Sequence, residues 1–182
     1  MPKHLPIDAI SARQRYLETS GLPFFEQMEV IFPGHPANAT AAQEFEQRKI
    51  EQYFDKPLFE DAVETIDHLR RSGMKVAVSS NNYQDLVDRF VGQTQITFDF
   101  VLGFKPNFAK GADHFRHIIR ETGCRPQEIA FVGDSLKDGE KAKDFGIDFI
   151  GKEGIFTCSE FKTRFPQAKV ISTLAELKKL LG

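Results

Sequence analysis

An α/β fold with a parallel sheet covered by helices on both faces, accompanied by a small all-helical module, is the fold class this sequence predicts. Three observations lead there. From about residue 58 onward, short apolar runs alternate with stretches of helical period. The helical stretches stop at glycines: Gly73, Gly92, Gly123 and Gly146. Residues 1–57 carry helix-spaced apolar positions and no strand pattern. The two parts meet near Lys56-Pro57, which predicts a helical domain over 1–57 and an α/β domain over 58–182.

In the first part, Ile10, Tyr16 and Leu17 predict a helix ended by Gly21-Leu22-Pro23, and Phe45, Ile50, Tyr53 and Phe54 predict another. The stretch between, Phe24 to Thr40, reads as loop around Phe32-Pro33-Gly34-His35-Pro36. In the second part, Phe59, Val63, Ile66 and Leu69 mark an amphipathic helix before a buried strand from Met74 to Val78. Leu86, Val87 and Phe90 carry the next helix, and Phe98 to Leu102 the next strand. Ala112, Phe115, Ile118, Ile119 and Thr122 line one face of a third helix. Ile129 to Val132 reads as a short buried strand, followed by a helix through Leu136, Ala142 and Phe145. Ile147 to Ile150 and Val170-Ile171 complete the strands. Thr173 with Glu176 forms a capping box that opens a last helix through Leu174, Leu177 and Leu181.

At 182 residues the chain can bury one good core, or one core and a small accessory domain. Phe is abundant at 18 and Trp is absent, so Phe fills much of that core. A formal charge of −2 provides no general attraction to nucleic acid or anionic membrane. Cys124 and Cys158 have neither metal-type nor disulfide-framework spacing, and no signal-peptide pattern opens the sequence. No apolar run reaches the roughly 20 residues a spanning helix needs. These features together predict a cytoplasmic protein. Asn38-Ala39-Thr40 matches a glycosylation sequon and, without a secretion signal, is taken as chance.

The chemistry concentrates at three predicted strand ends. Phe131-Val132-Gly133-Asp134-Ser135-Leu136-Lys137-Asp138 runs from a strand straight into a helix. Ligands of open α/β sheets bind at that carboxyl edge. Asp134 stands at the strand tip and Asp138 about one helical turn on, so both can face one small volume, suited to Mg²⁺. Val76-Ala77-Val78 runs into Ser79-Ser80-Asn81-Asn82, small polar groups that leave backbone N–H groups for an anion. Lys110 lies 24 residues before Asp134, just ahead of a helix. Hydroxyl, amides, a lysine and two carboxylates describe a site for a phosphoryl group. Blander readings hold elsewhere. His4 is an exposed helix residue and His35 a loop residue. His114 and His117, three apart, form a solvated face rather than a metal site. Gly146 to Lys152 mimics a phosphate-binding loop but has Glu153 where Ser or Thr is required, and a strand fills its interior.

These motifs resemble the haloacid dehalogenase-like hydrolases, most of which are Mg²⁺-dependent phosphatases with a Rossmann-like core and a helical cap. Lys75-Val76-Ala77-Val78-Ser79-Ser80-Asn81 is similar to the family's second motif, which implies that Ser80, with Asn81, binds the phosphoryl group. Lys110 matches the third-motif lysine by spacing; Lys105-Pro106, 29 residues before Asp134, is too distant. Gly133-Asp134-Ser135-x-x-Asp138 resembles the fourth motif, which implies that Asp134 is a metal ligand and that Asp138 supports the metal and the lysine. The family's first motif, Asp-x-Asp-Gly-Thr/Val, is absent: no Asp-x-Asp occurs in the chain. In the family it supplies the attacking aspartate and the general acid–base. The opening Met1-Pro2-Lys3-His4 resembles a stretch that follows that motif, so the expectation is a chain begun at an internal methionine, without its central strand and nucleophile. The resemblance thus implies a phosphatase acting on a small phosphorylated metabolite, inactive in the 182-residue form. A non-catalytic phosphate-binding or regulatory module, or a phosphomutase, are the alternatives.

Overall fold

The structure, a computed structural model, describes residues 5, 7–20 and 22–182. The Met1-Pro2-Lys3-His4 opening, with His4, and the expected helix stop Gly21 lie outside the described residues. The chain divides into two compact units, Met1–Pro57 and Leu58–Gly182. No helix among the described residues is long and apolar enough to cross a membrane.

The first unit holds α1 (Ala9–Glu18), α2 (Phe24–Ile31) and α3 (Asn38–Tyr53). Asp8 caps α1, its carboxylate accepting from the N–H groups of Ile10 (2.9 Å) and Ser11 (3.0 Å). α2 corrects the expectation of a loop from Phe24 to Thr40. Pro23 sets the chain direction just ahead of the helix, and Phe24 and Met28, one turn apart, both point into the core. There they meet Leu5, Ala41 and Ala42, and the Phe24 ring stacks on Phe45 at 3.8 Å.

The second unit alternates α4 (Ala62–Arg71), β1 (Ala77–Tyr83), α5 (Gln84–Gly92), β2 (Phe100–Phe104), α6 (Ala112–Thr122), β3 (Ala130–Gly133), α7 (Leu136–Phe145), β4 (Asp148–Lys152), α8 (Cys158–Arg164), β5 (Lys169–Ile171) and α9 (Leu177–Leu181). This is the α/β class with parallel pairing that the alternation predicts. Boundaries move by a few residues. Phe59, read as helical, precedes α4 and is 62% exposed, while Ala62, Thr65 and Leu69 form the buried face. The first two strands start later and end later than their apolar runs. α8 was absent from the pattern reading; Thr157 and Glu160 open it with a capping box.

The sheet is in two pieces. β1 pairs with β2, and β3, β4 and β5 form a second ladder in that order. The strands expected to be buried are accordingly only half-buried: β1 is intermediate from Ala77 to Asn82, and Ala130 at the start of β3 is exposed. β4, paired on both sides, is the well-covered strand, with Ile150 packed against Leu69, Ile171 and Leu177. A second cluster joins Phe115 of α6 to Ala142 and Ile147, with the Phe131 and Phe145 rings 5.0 and 5.3 Å from Phe115.

Candidate functional site

β1 leaves its partner at the residues singled out in the sequence. Ala77, Val78 and Ser79 pair with Phe100, Val101 and Leu102; the next pair is Tyr83 with Phe104. Ser80, Asn81 and Asn82 therefore stand opposite Gly103 alone, a bulge of the kind found beside active sites. The Gln84 side chain fills the interrupted ladder. Its Oε1 accepts from the Gly103 N–H (2.8 Å) and its Nε2 donates to the Val101 carbonyl (3.0 Å). Position 103 has no room for a side chain, since a Cβ would lie 2.5 Å from the Gln84 Cα. The Asn82 N–H donates to Ser80 Oγ (3.0 Å), a hydroxyl that still has its own proton to donate.

The bulge reaches the segment after β2. The Lys110 N–H donates to Asn81 Oδ1 at 3.0 Å. Lys110 Nζ lies 2.8 Å from Asp138 Oδ1, with 16% of the lysine side chain and 1% of the aspartate side chain exposed. This contact is a charge pair without hydrogen-bond alignment, so Oδ1 retains an unused acceptor position. Asp138 is held from two directions. Its N–H donates to Ser135 Oγ (3.1 Å), the cap of α7. Gly133 lies beneath its side chain, where a Cβ would come within 2.6 Å of Asp138 Cβ and 2.7 Å of Oδ2. Asp134 stands between Gly133 and the cap, exposed. The pair Lys110–Asp138 thus bridges the end of the β1–β2 piece and the end of β3.

The structure brings Asn81, Lys110 and Asp138 into contact, with Ser80 adjoining Asn81 in the chain. Lys105 is exposed in a tight turn: its backbone exchanges hydrogen bonds with Phe108 (2.9 and 3.0 Å), with Asn107 at φ 60°. It is Lys110 that meets the buried carboxylate.

The histidine pair needs correction. His114 is 0% exposed, not part of a solvated face. Its Nδ1 lies 2.8 Å from Ser79 Oγ and its ring 4.5 Å from that of Phe108. Burial pushes its pKa down to about 4, against the Gly103 carbonyl and Asp113, so the imidazole is neutral. Position 114 is one turn before Ile118 and flanks Phe115, at the edge of the apolar stripe, where its cover depends on what packs there. His117 is half-buried, edge-on to Phe100 and Phe108, with Nδ1 2.9 Å from the Arg120 guanidinium. His35 Nδ1 accepts from the Ala37 N–H (3.1 Å) and shapes its own loop.

Two other polar clusters are structural. Asp99, ahead of β2, accepts from the Val76 N–H (2.9 Å) and pairs with Arg70 (3.3 Å) and Lys75 (3.1 Å). The Val76 bond, assisted by those two cations against burial, holds its carboxyl well down, to about 2. A cavity of about 420 Å³ beside it, lined by Asp67, Arg71 and Met74, opens at the amino ends of the strands, away from Lys110 and Asp138. The sequon residue Asn38 is 4% exposed, its amide donating to Glu29 Oε1 and the Phe32 carbonyl, both at 2.7 Å. That nitrogen is already engaged, so the sequon is not a modification site in this fold. The strand β4 fills the segment that mimics a phosphate-binding loop.

Comparison with known proteins adds context. The family model described as haloacid dehalogenase-like hydrolase matches residues 11–152. Among curated proteins the chain is similar to enolase-phosphatase E1 of Aquifex aeolicus (strain VF5), 26% identical over 117 residues. That alignment takes in 58% of this chain and 51% of the relative, so the chain spans about half the length of that relative. Among solved structures it is similar to a haloacid dehalogenase-like family hydrolase from Streptococcus pneumoniae, at TM-score 0.78 and 15% identity, covering 98% of this chain and 83% of that one. It is also similar to CbbY from Rhodobacter sphaeroides, solved with phosphate, at TM-score 0.69 and 21% identity, covering 93% and 80%. At these identities the structural likeness is one of fold.

Proposed function

The chain belongs to the haloacid dehalogenase-like hydrolases, and from that membership we propose that it is a phosphatase-type member whose substrate is a small phosphorylated metabolite. The observation that carries this reading is the Lys110–Asp138 pair at 2.8 Å, with Asn81 holding the lysine backbone. A lysine so anchored presents positive charge beside a bulged strand end rich in hydroxyl and amide groups, a fitting environment for phosphoryl oxygens. In this reading Ser80 and Asn81 hydrogen-bond the phosphoryl group and Lys110 neutralises it. The names of the relatives agree in kind: one is an enolase-phosphatase, and CbbY was also solved with xylulose-(1,5)bisphosphate.

Two carboxylates here are of the kind Mg²⁺ takes, although among the described residues no group of three His, Cys, Asp or Glu stands together to hold a metal ion. Asp134 offers an exposed carboxylate, and the buried Asp138 keeps an unused acceptor on Oδ1. Asp134 would hold the ion and Asp138 would orient it and the lysine; when bound, the ion supplies charge neutralisation at the phosphate. The helical unit is assigned the part of the family's cap, and the protein a cytoplasmic setting.

No Asp-x-Asp occurs in these 182 residues, so the reading includes no nucleophile from them. The β1–β2 and β3–β4–β5 ladders are not hydrogen-bonded to each other, a break that suits a further strand carrying one. Absence of the motif also favours a second reading, a module that binds phosphate without chemistry. Two measurements test these readings. Inorganic phosphate is expected to shift the amide resonances of Ser80, Asn81 and Lys110; a chain whose spectrum ignores millimolar phosphate rules both out. With Mg²⁺ and an aryl phosphate the 182-residue chain is expected to show no turnover. Robust turnover lost in Asp134→Ala would mean that the nucleophile lies within this chain.

A further inference from the structure

We propose that His114 is a positioning residue for the phosphate site: through Ser79 it fixes the point at which β1 leaves its ladder, and so sets the placement of Ser80 and Asn81. The inference rests on the functional reading above and deepens it.

Two ties run from β1 to the segment that follows β2. Ser79 Oγ meets His114 Nδ1 at 2.8 Å, and Asn81 Oδ1 accepts from the Lys110 N–H at 3.0 Å. Ser79 and Asn81 are two apart, the spacing that puts side chains on one side of an extended strand. Lys110 precedes the N-cap Gly111, and His114 lies in the first turn of α6. Both bonds therefore join β1 to one short segment and act as a two-point clamp with Ser80 between them. Ser79 is also the last residue in register before the bulge. A bond at that position determines where the bulge begins.

The imidazole is an unfavourable choice for packing alone. His114 is 0% exposed, and its Nε2 makes no well-aligned hydrogen bond. A buried nitrogen so poorly satisfied costs on the order of 1–3 kcal/mol, which a Phe or Leu against Phe108 would avoid. The Gly103 carbonyl acts on the ring as a weak acceptor, and Asp113, His117 and Lys110 act as charges at longer range. What the ring provides that an apolar residue would not is chiefly the Ser79 bond. The neutral imidazole suits this task, because Nδ1 can accept the Ser79 hydroxyl proton and leave no competing charge beside Lys110.

The test uses the intact chain and inorganic phosphate as probe, read by amide shifts at Ser80–Asn82, with histidine ¹⁵N shifts as a second readout. His114→Phe is expected to weaken phosphate about tenfold while leaving the melting temperature equal or higher, and His114→Asn, which keeps a polar atom near Nδ1, to recover most of that loss. Ser79→Ala is expected to weaken phosphate to the same degree and to shift the His114 Nδ1 signal; the double variant Ser79→Ala/His114→Phe should be no worse than either single one. A wild-type chain that does not bind phosphate brings down this inference and the functional reading together. Normal wild-type binding with His114→Phe within twofold of it, or losses that multiply in the double variant, overturns the positioning role and leaves the functional reading standing. If His114→Phe fails to fold, Ser79→Ala alone decides, and unchanged affinity in that variant overturns the proposal.

Discussion

Asp138 is a carboxylate with 1% of its side chain exposed, and Lys110 Nζ is the charge beside it. Removing one partner of such a pair leaves the other buried and uncompensated. Lys110→Met is therefore expected to destabilise the fold by about 2–4 kcal/mol in urea unfolding, whereas Lys105→Met in its exposed turn should stay within about 0.5 kcal/mol. Equal effects would mean that the pair does not form in solution. His114 sets a pH dependence of the same sign as that of Asp99, at higher pH, since both groups have their pKa lowered in the fold. Its folded pKa, about 4, is below the ordinary 6.5, so between those values the unfolded chain binds the extra proton. Its contribution is complete above pH 6.5 and is lost as the pH falls toward 4, by up to about 3 kcal/mol. His114→Phe should flatten that part of the stability profile; a variant that keeps the wild-type slope would assign the acid sensitivity to other groups. Residue chemistry was legible for Lys110 and the aspartates, because spacing from one motif to the next survives in the sequence. It was not legible for His114, because whether a polar residue on the edge of an apolar stripe is covered depends on what packs there. In this fold Phe108 and Ser79, remote or on another element, cover it.

Among the elements, the turn from β3 into α7 is the most tightly specified. Ser135 caps the helix, Asp138 sits one turn in, and Gly133 leaves the space that Asp138 occupies. Gly133→Ala would drive a methyl to within 2.6 Å of Asp138 Cβ, so either the strand tip or the first turn of α7 must shift. The expected outcome is a loss of about 1–3 kcal/mol and weaker phosphate binding; an unaffected variant would show that the junction has slack. This junction could be read directly, since Gly, Ser and Asp each act over a few residues. α2 could not. Its Phe-rich sequence between two proline-containing turns is ambiguous alone, and it becomes a helix because Phe24 and Met28 bury together against Phe45 and Ala41. The apolar run likewise placed the end of β1 at Val78. Ser80–Asn82 stay extended because Gln84, next along the chain, stands in for the missing ladder bonds.

At the scale of the whole α/β unit, the sheet in two pieces is the dominant feature. β4 has ladders on both sides, while β1 and β3 each have one. Hydrogen exchange should therefore be slowest at Ile150 and Gly151 and markedly faster along Val78–Asn81 and Ala130–Val132. Protection of β1 equal to that of β4 would mean that its second edge is covered after all. The sequence by itself determined the alternation of strands and helices, the parallel α/β class, the capping box at Thr173, and the order of the polar groups at the strand ends. All of these come from short-range chemistry: side-chain period, glycine stops, and hydroxyls or carboxylates that bond amides a few residues away. Only the tertiary structure decided which strands acquire two neighbours, that Asn81 holds the Lys110 backbone, and that His114 lies inside. Those outcomes depend on residues 29 or 35 positions apart meeting in space, as Asn81 meets Lys110 and Ser79 meets His114, and no local pattern records such a meeting.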